Sequence, residues 1–113
     1  MSNVKKVDEE TIVTIIASAG AANGMLQQAY MEAVSGNYEA VEQLLKEADE
    51  ALVKVHESQT ELIQAEAGGD RVEMSLLMVH AQDHLMNAML SKQLISNMIE
   101  MQKTINELKK GDK

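Results

Sequence analysis

The octapeptide Val79-His80-Ala81-Gln82-Asp83-His84-Leu85-Met86 gathers the residues of this chain best suited to chemistry. It holds two imidazoles and a carboxylate, inside a run from Met74 to Ile99 whose only other formally charged side chain is Lys92. On a helical wheel of ~100° per residue, His84, Asn87 and Ser91 fall within about 40° of His80, and Asp83 about 60° away. His80, Asp83, His84 and Asn87 therefore share one face, and a neutral imidazole on it is a competent nucleophile near neutral pH. Asp83 poses a different problem. An ionised carboxylate among apolar neighbours is costly unless compensated, and no basic residue stands within two turns of it. It must be protonated, bonded to a donor such as a histidine, or bound to a cation. If identical helices met at an axis their aspartates would converge, and hard oxygen ligands at such a point suit Mg²⁺ or another divalent ion.

Three segments of helical periodicity must position these residues, over about 9–35, 38–66 and 71–110. In the first, Asp8 stands as an N-cap with Glu9 and Glu10 favourable to the helix dipole. Ile12, Ile15, Ile16, Ala19, Ala22, Leu26, Ala29 and Ala33 then follow a 3–4 spacing. That face is rich in small residues and permits close helix approach, and Gly20 and Gly24 call for a packing reason or a local irregularity. Gly36 suits a left-handed C-cap and Asn37 an N-cap for the second helix, which buries Val41, Leu44, Leu45, Ala48, Leu52, Val55, Leu62 and Ile63 and solvates a charged face. Gly68-Gly69 closes it, and Asp70 with Glu73 spells a capping box that opens the third. Short connections force antiparallel neighbours, so the fold class is all-α, an up-down-up three-helix bundle in a single domain over 1–113.

The third segment is apolar nearly all round, with a narrow solvated arc near Ser75, Gln82 and Gln93. Two partner helices cover about half of such a helix, so the rest calls for another copy of the chain, with the polar stripe along the seam between copies. The chain of 113 residues has no Pro, Cys, Phe or Trp, nine Met and one arginine, Arg71, with a formal net charge of −8. Thiolate chemistry and disulfides are excluded, and nucleic-acid phosphates and anionic membrane surfaces would be repelled. A polar N-terminus and the lack of a spanning apolar run point to the cytoplasm.

Blander assignments compete for the histidines. His56, alone on the second segment, reads as a hydrogen-bonded core residue. His-x-x-Asp-His is similar to an inverted zinc-protease motif, but the acid is Asp and no third ligand is evident. A histidine phosphotransfer domain of two-component signalling calls for a four-helix bundle with a basic residue or glycine just after its histidine, and this chain has neither. A structural or adaptor bundle whose polar seam only fixes register is the remaining alternative.

The octapeptide resembles the signature of the lactose/cellobiose-family IIA components of the bacterial sugar phosphotransferase system. The likeness extends to Ser18-Ala19-Gly20-Ala21-Ala22, Gly36-Asn37-Tyr38, His56-Glu57-Ser58-Gln59-Thr60-Glu61-Leu62-Ile63 and Glu66-Ala67-Gly68-Gly69. It implies a homotrimer of three-helix protomers and a phosphotransferase component rather than a stand-alone sugar kinase. It further implies that His80 accepts a phosphoryl group from phospho-HPr, on Nε2, and passes it to a cysteine of the IIB component. The sugar is then a lactose-, cellobiose- or chitobiose-type disaccharide taken up through a membrane IIC permease. Asp83 becomes the metal ligand at the trimer axis, with Mg²⁺ the expected ion, and His84 and Gln82 become candidates for positioning the phosphoryl group.

Overall fold

Asp8, with extended backbone and Oδ1 accepting from the Thr11 N–H at 3.2 Å, starts the first helix as its sequence predicts. A computed structural model describes residues 4–111, with residues 1–3 and 112–113 outside the described part. The elements are β1 (Val4–Lys5), α1 (Glu9–Val34), α2 (Tyr38–Ala67), β2 (Arg71–Val72) and α3 (Leu76–Gly111). Antiparallel connections make α1 and α3 parallel, in a slender bundle of 73 × 23 × 20 Å. α1 is the hub. Its Ala19, Ala22, Ala29 and Ala33 are buried, so α2 and α3 both pack closely along it while touching each other more sparingly. Ile15, Leu26, Val41, Leu85 and Ile99 are the largest fully buried side chains of the shared core. Gly20 and Gly24 have no packing reason within the protomer: an added Cβ at either meets nothing within 4 Å, and α1 runs through both without a break.

Both connections end the preceding helix in the same way. Gly36 (φ 81°) and Gly69 (φ 104°) take the left-handed conformation that L side chains resist. The Asn37 N–H then donates to Glu32 O at 2.9 Å, and the Asp70 N–H to Ala65 O at 3.0 Å, each satisfying a carbonyl at the helix end. The Asn37 side chain does not cap α2 as expected; its Nδ2 donates back to Glu32 Oε2 at 2.8 Å.

The start of α3 departs from the expected capping box at Asp70. Arg71 and Val72 pair in parallel with Val4 and Lys5, which holds this stretch extended. The helix begins five residues later, at Leu76, where Ser75 Oγ accepts from the Met78 N–H at 3.0 Å. At the other end a polar chain fixes the register of α1 against α3. Tyr30 OH donates to Gln102 Oε1 (3.1 Å) and Gln102 Nε2 to Asn106 Oδ1 (3.0 Å). Asn106 Nδ2 in turn donates to Ala33 O (2.9 Å) and to Tyr38 OH (2.8 Å).

Candidate functional site

Because α3 begins at Leu76, His80 is its fifth residue, one turn inside the N-terminus. Side chains in a helix lean toward its N-terminus, and the positive end of the helix dipole acts within the first turn. An anion carried on the His80 imidazole therefore lies in a favourable field. Parallel packing brings a second N-terminus to the same end of the bundle, since β1–β2 pairing and equal three-residue links start α1 and α3 side by side.

His80 is exposed and His84 half-buried, and their rings meet edge to face, 4.4 Å between centroids and 84° between planes. That edge contact sets the two imidazoles against each other on one face of α3. Gln82 does not share their side of the helix. It is half-buried toward α2, where Gln59 Nε2 donates to Gln82 Oε1 at 2.6 Å and to Met86 Sδ at 3.6 Å. Of the solvated arc expected near Ser75, Gln82 and Gln93, Gln93 is exposed, while Ser75 caps α3 and Gln82 forms an α2–α3 strut. Gln59, buried at 6% exposure, was not singled out by sequence reasoning; its polar type at a core-facing position of α2 is the one signal that marks it.

Asp83 is exposed in the protomer rather than buried. Among the described residues no group of three or more His, Cys, Asp or Glu side chains comes together to hold a metal ion, so one chain alone does not fit a divalent cation. His56 is exposed rather than the core residue expected, at a cleft of about 610 Å³ between α2 and α3, with Asp49, Leu52, Met89 and Lys92, on a flank of α3 away from His80. The two ion pairs among the described residues, Lys92–Asp49 and Lys103–Glu100, lie well along α3 from His80 and supply it no positive charge.

The exposed face of α3 has its own order. Leu76, His80, Asp83, Asn87, Leu90, Leu94, Asn97, Met101, Thr104 and Leu108 alternate spacings of four and three, and all are exposed. This is the heptad pattern of a coiled-coil seam. His80, Asp83 and Asn87 form its polar end, and Leu90, Leu94, Met101 and Leu108 its apolar part. Among the described residues no helix is long and apolar enough to cross a membrane.

Residues 10–103 match the family described as "PTS system, Lactose/Cellobiose specific IIA subunit", where PTS denotes the phosphotransferase system. The chain is 48% identical over 99 residues to the lichenan-specific phosphotransferase enzyme IIA component of Bacillus subtilis, covering 88% of this chain and 90% of that protein. It is 37% identical to the N,N′-diacetylchitobiose-specific component of Escherichia coli over 93 residues, 82% of this chain and 80% of the relative. Among solved structures, the cellobiose-specific enzyme IIA of Bacillus anthracis superposes with a TM-score of 0.82 at 36% identity, covering 88% of this chain and 91% of that one. The chitobiose IIA chain of E. coli, solved in complex with HPr, gives 0.75 at 34% identity over 87% and 95%. A match spanning helices, turns and the His80 octapeptide alike means that this chain belongs to the lactose/cellobiose-specific IIA family of the phosphotransferase system, and is a phosphotransferase component of sugar uptake.

Proposed function

We propose that His80 is the phosphoryl acceptor of this IIA component, taking the group from phospho-HPr and yielding it to a cysteine of IIB. The observation that carries this reading is the exposed imidazole of His80, one turn inside α3 and in edge contact with His84. In the first transfer a lone pair of neutral His80 attacks phosphorus, the N–P bond forms, and the bond to the HPr donor atom breaks. In the second, the IIB thiolate attacks the same phosphorus, the S–P bond forms, the N–P bond breaks, and His80 leaves as the neutral imidazole it began as, its other ring nitrogen keeping its proton throughout. Such transfers rest on alignment and charge stabilisation. His84 supplies alignment by holding the ring, the N-terminal field of α3 favours the phosphoryl charge, and the docked partner contributes further positive charge. The apolar side chains of Leu77, Val79 and Met86, on α3 beside the heptad face, are exposed, and a partner seated on them excludes water from the labile N–P bond.

The working form is a homotrimer joined through the exposed heptad face of α3. The sparse cover of that face within the protomer supports this, as does the family resemblance. Three such chains bring three Asp83 carboxylates to the axis, a set of hard oxygens that fits a divalent cation of the Mg²⁺ type where one chain does not. The ion's two positive charges offset most of the charge of the three carboxylates. The sugar is of the disaccharide class, and its choice rests with the membrane component. An exposed apolar seam also suits an adaptor bundle, which takes up no phosphoryl group. Incubation with phosphoenolpyruvate and the general phosphotransfer proteins, followed by intact-mass measurement, separates the two. A gain of one phosphoryl group, absent from His80→Gln, is expected; an unchanged mass refutes the assignment.

A further inference from the structure

The two interhelix connections begin alike and end differently. After α1, the turn through Gly36 and Asn37 leads directly into α2 at Tyr38. After α2, the turn through Gly69 and Asp70 has the same backbone hydrogen bonding, yet α3 waits until Leu76. The second connection is the better equipped for an immediate start. Asp70 is a strong N-cap type and Glu73 stands where the reciprocal bond of a capping box needs it. Arg71, Glu73 and Met74 are good helix formers, and no Gly or Pro interrupts residues 71–75. Asn37, by contrast, starts α2 with no side-chain cap bond. What sets the second connection apart is the backbone of Val4–Lys5 paired with Arg71–Val72.

We propose that residues 70–76 form a two-position helix start governed by the N-terminal arm. With the arm paired, α3 begins at Leu76 under Ser75; with the arm released, it begins at Arg71 under Asp70. The paired position keeps the Ser75 Oγ cap on Met78 and the burial of Val72 at the edge of the core. The released position gains the Asp70–Glu73 box and the helical bonds of five residues. A two-residue strand pair is marginal by itself, so the two positions are close enough for a small change at the arm to move the population. The family match begins at residue 10, after the arm.

The switch bears on the site. In the paired position His80 is the fifth residue of α3, within reach of the N-terminal field. In the released position it becomes the tenth, beyond the first turn where that field acts. If His80 is the phosphoryl acceptor proposed above, on which this consequence rests, arm pairing favours the phosphorylated form. Phosphorylation in turn tightens the arm, since coupling between two equilibria is reciprocal.

The test uses the full chain carrying Val4→Pro and Lys5→Pro, which removes both β1 backbone donors and leaves residues 70–76 untouched. Backbone NMR shifts of residues 71–75 should become helical in this variant, and adding Asp70→Ala and Glu73→Ala should reverse the change. Shifts that stay non-helical after the proline substitutions overturn the switch, as does a helical extension that persists without Asp70 and Glu73. The phosphoryl equilibrium with phospho-HPr should shift about two- to fivefold against the variant, the span of a first-turn dipole contribution. An unchanged equilibrium in a variant with helical 71–75 overturns the link to His80. A parent chain that takes up no phosphoryl group sinks the acceptor assignment instead, and the NMR result still decides the helix start.

Discussion

Replacing Leu90 and Leu94 by alanine together tests whether the heptad face of α3 joins protomers. Each leucine is 53% exposed in the protomer. Burying a whole leucine side chain is worth about 1.5–3 kcal/mol, so covering the exposed half contributes about 1 kcal/mol per leucine. Over two leucines and three chains the assembly loses about 6 kcal/mol. At ~1.4 kcal/mol per tenfold, the trimerisation constant falls by about 10⁴. Three monomers stand against one trimer, so the concentration of half-dissociation rises by the square root of that factor, about a hundredfold. Sedimentation equilibrium over a concentration series reads this directly. Helicity measured by circular dichroism should hold, because neither side chain belongs to the buried core of its own protomer and alanine is the better helix former. An unchanged mass and midpoint in the double variant would refute the seam and the assembly drawn from it.

His80→Gln should keep helicity and assembly while losing phosphoryl uptake by intact mass; uptake at the parent rate moves the acceptor to His84. Asp83→Leu should hold or raise the melting temperature and bring bound divalent metal to background, and equal metal content in both proteins removes Asp83 as a ligand. Gln59→Ala leaves the Gln82 amide without its 2.6 Å partner. Its cost of about 1–3 kcal/mol should lower the melting temperature by roughly 4–12 °C, with His80 phosphorylation intact. Gly24→Ala adds a Cβ that meets nothing within 4 Å; a gain of about 1 kcal/mol should raise the melting temperature by roughly 4 °C, and a fall would mean that another chain covers that face.

Periodicity made the three helices legible because each buries a stripe, although that of α2 stops short of Ile63, which is exposed rather than buried as expected, and the alanine-rich stripe of α1 marked the helix on which the other two lie. Glycines at 36 and 69 marked the turns because the left-handed backbone there strongly favours glycine. The start of α3 was not legible for a reason of a different kind. Asp70 and Glu73 are correct local signals, but a non-local pairing with Val4–Lys5 outweighs them, and nothing in a window around residue 70 records that pairing. The octapeptide placed His80 and His84 together correctly, since four residues apart on a helix are neighbours. It could not show that Gln82, only two residues from His80, turns to α2 and engages Gln59. Positions two apart diverge by about 200° on the wheel, and which way each then faces depends on where the partner helices lie.

Asp83 shows where an argument from one chain stops and an argument from an assembly begins. In the sequence its carboxylate stands in an apolar run, which calls for a proton, a donor or a cation. In the protomer that demand vanishes, because Asp83 faces solvent and a solvated carboxylate costs nothing. The demand returns only if the heptad face is covered, since the pattern that carries Leu90 and Leu94 into a seam carries Asp83 with them. Compensation for its charge must then arrive with assembly and not before it. In the proposed trimer, metal affinity and association are therefore one equilibrium. A cation bound by carboxylates from separate chains stabilises the joined state alone, by mass action, and three like charges at an axis without it oppose joining. Asp83→Leu removes both effects at once. In that variant association should become independent of divalent metal while remaining as strong as in the metal-loaded parent, a combination that a carboxylate serving only as a surface charge does not produce.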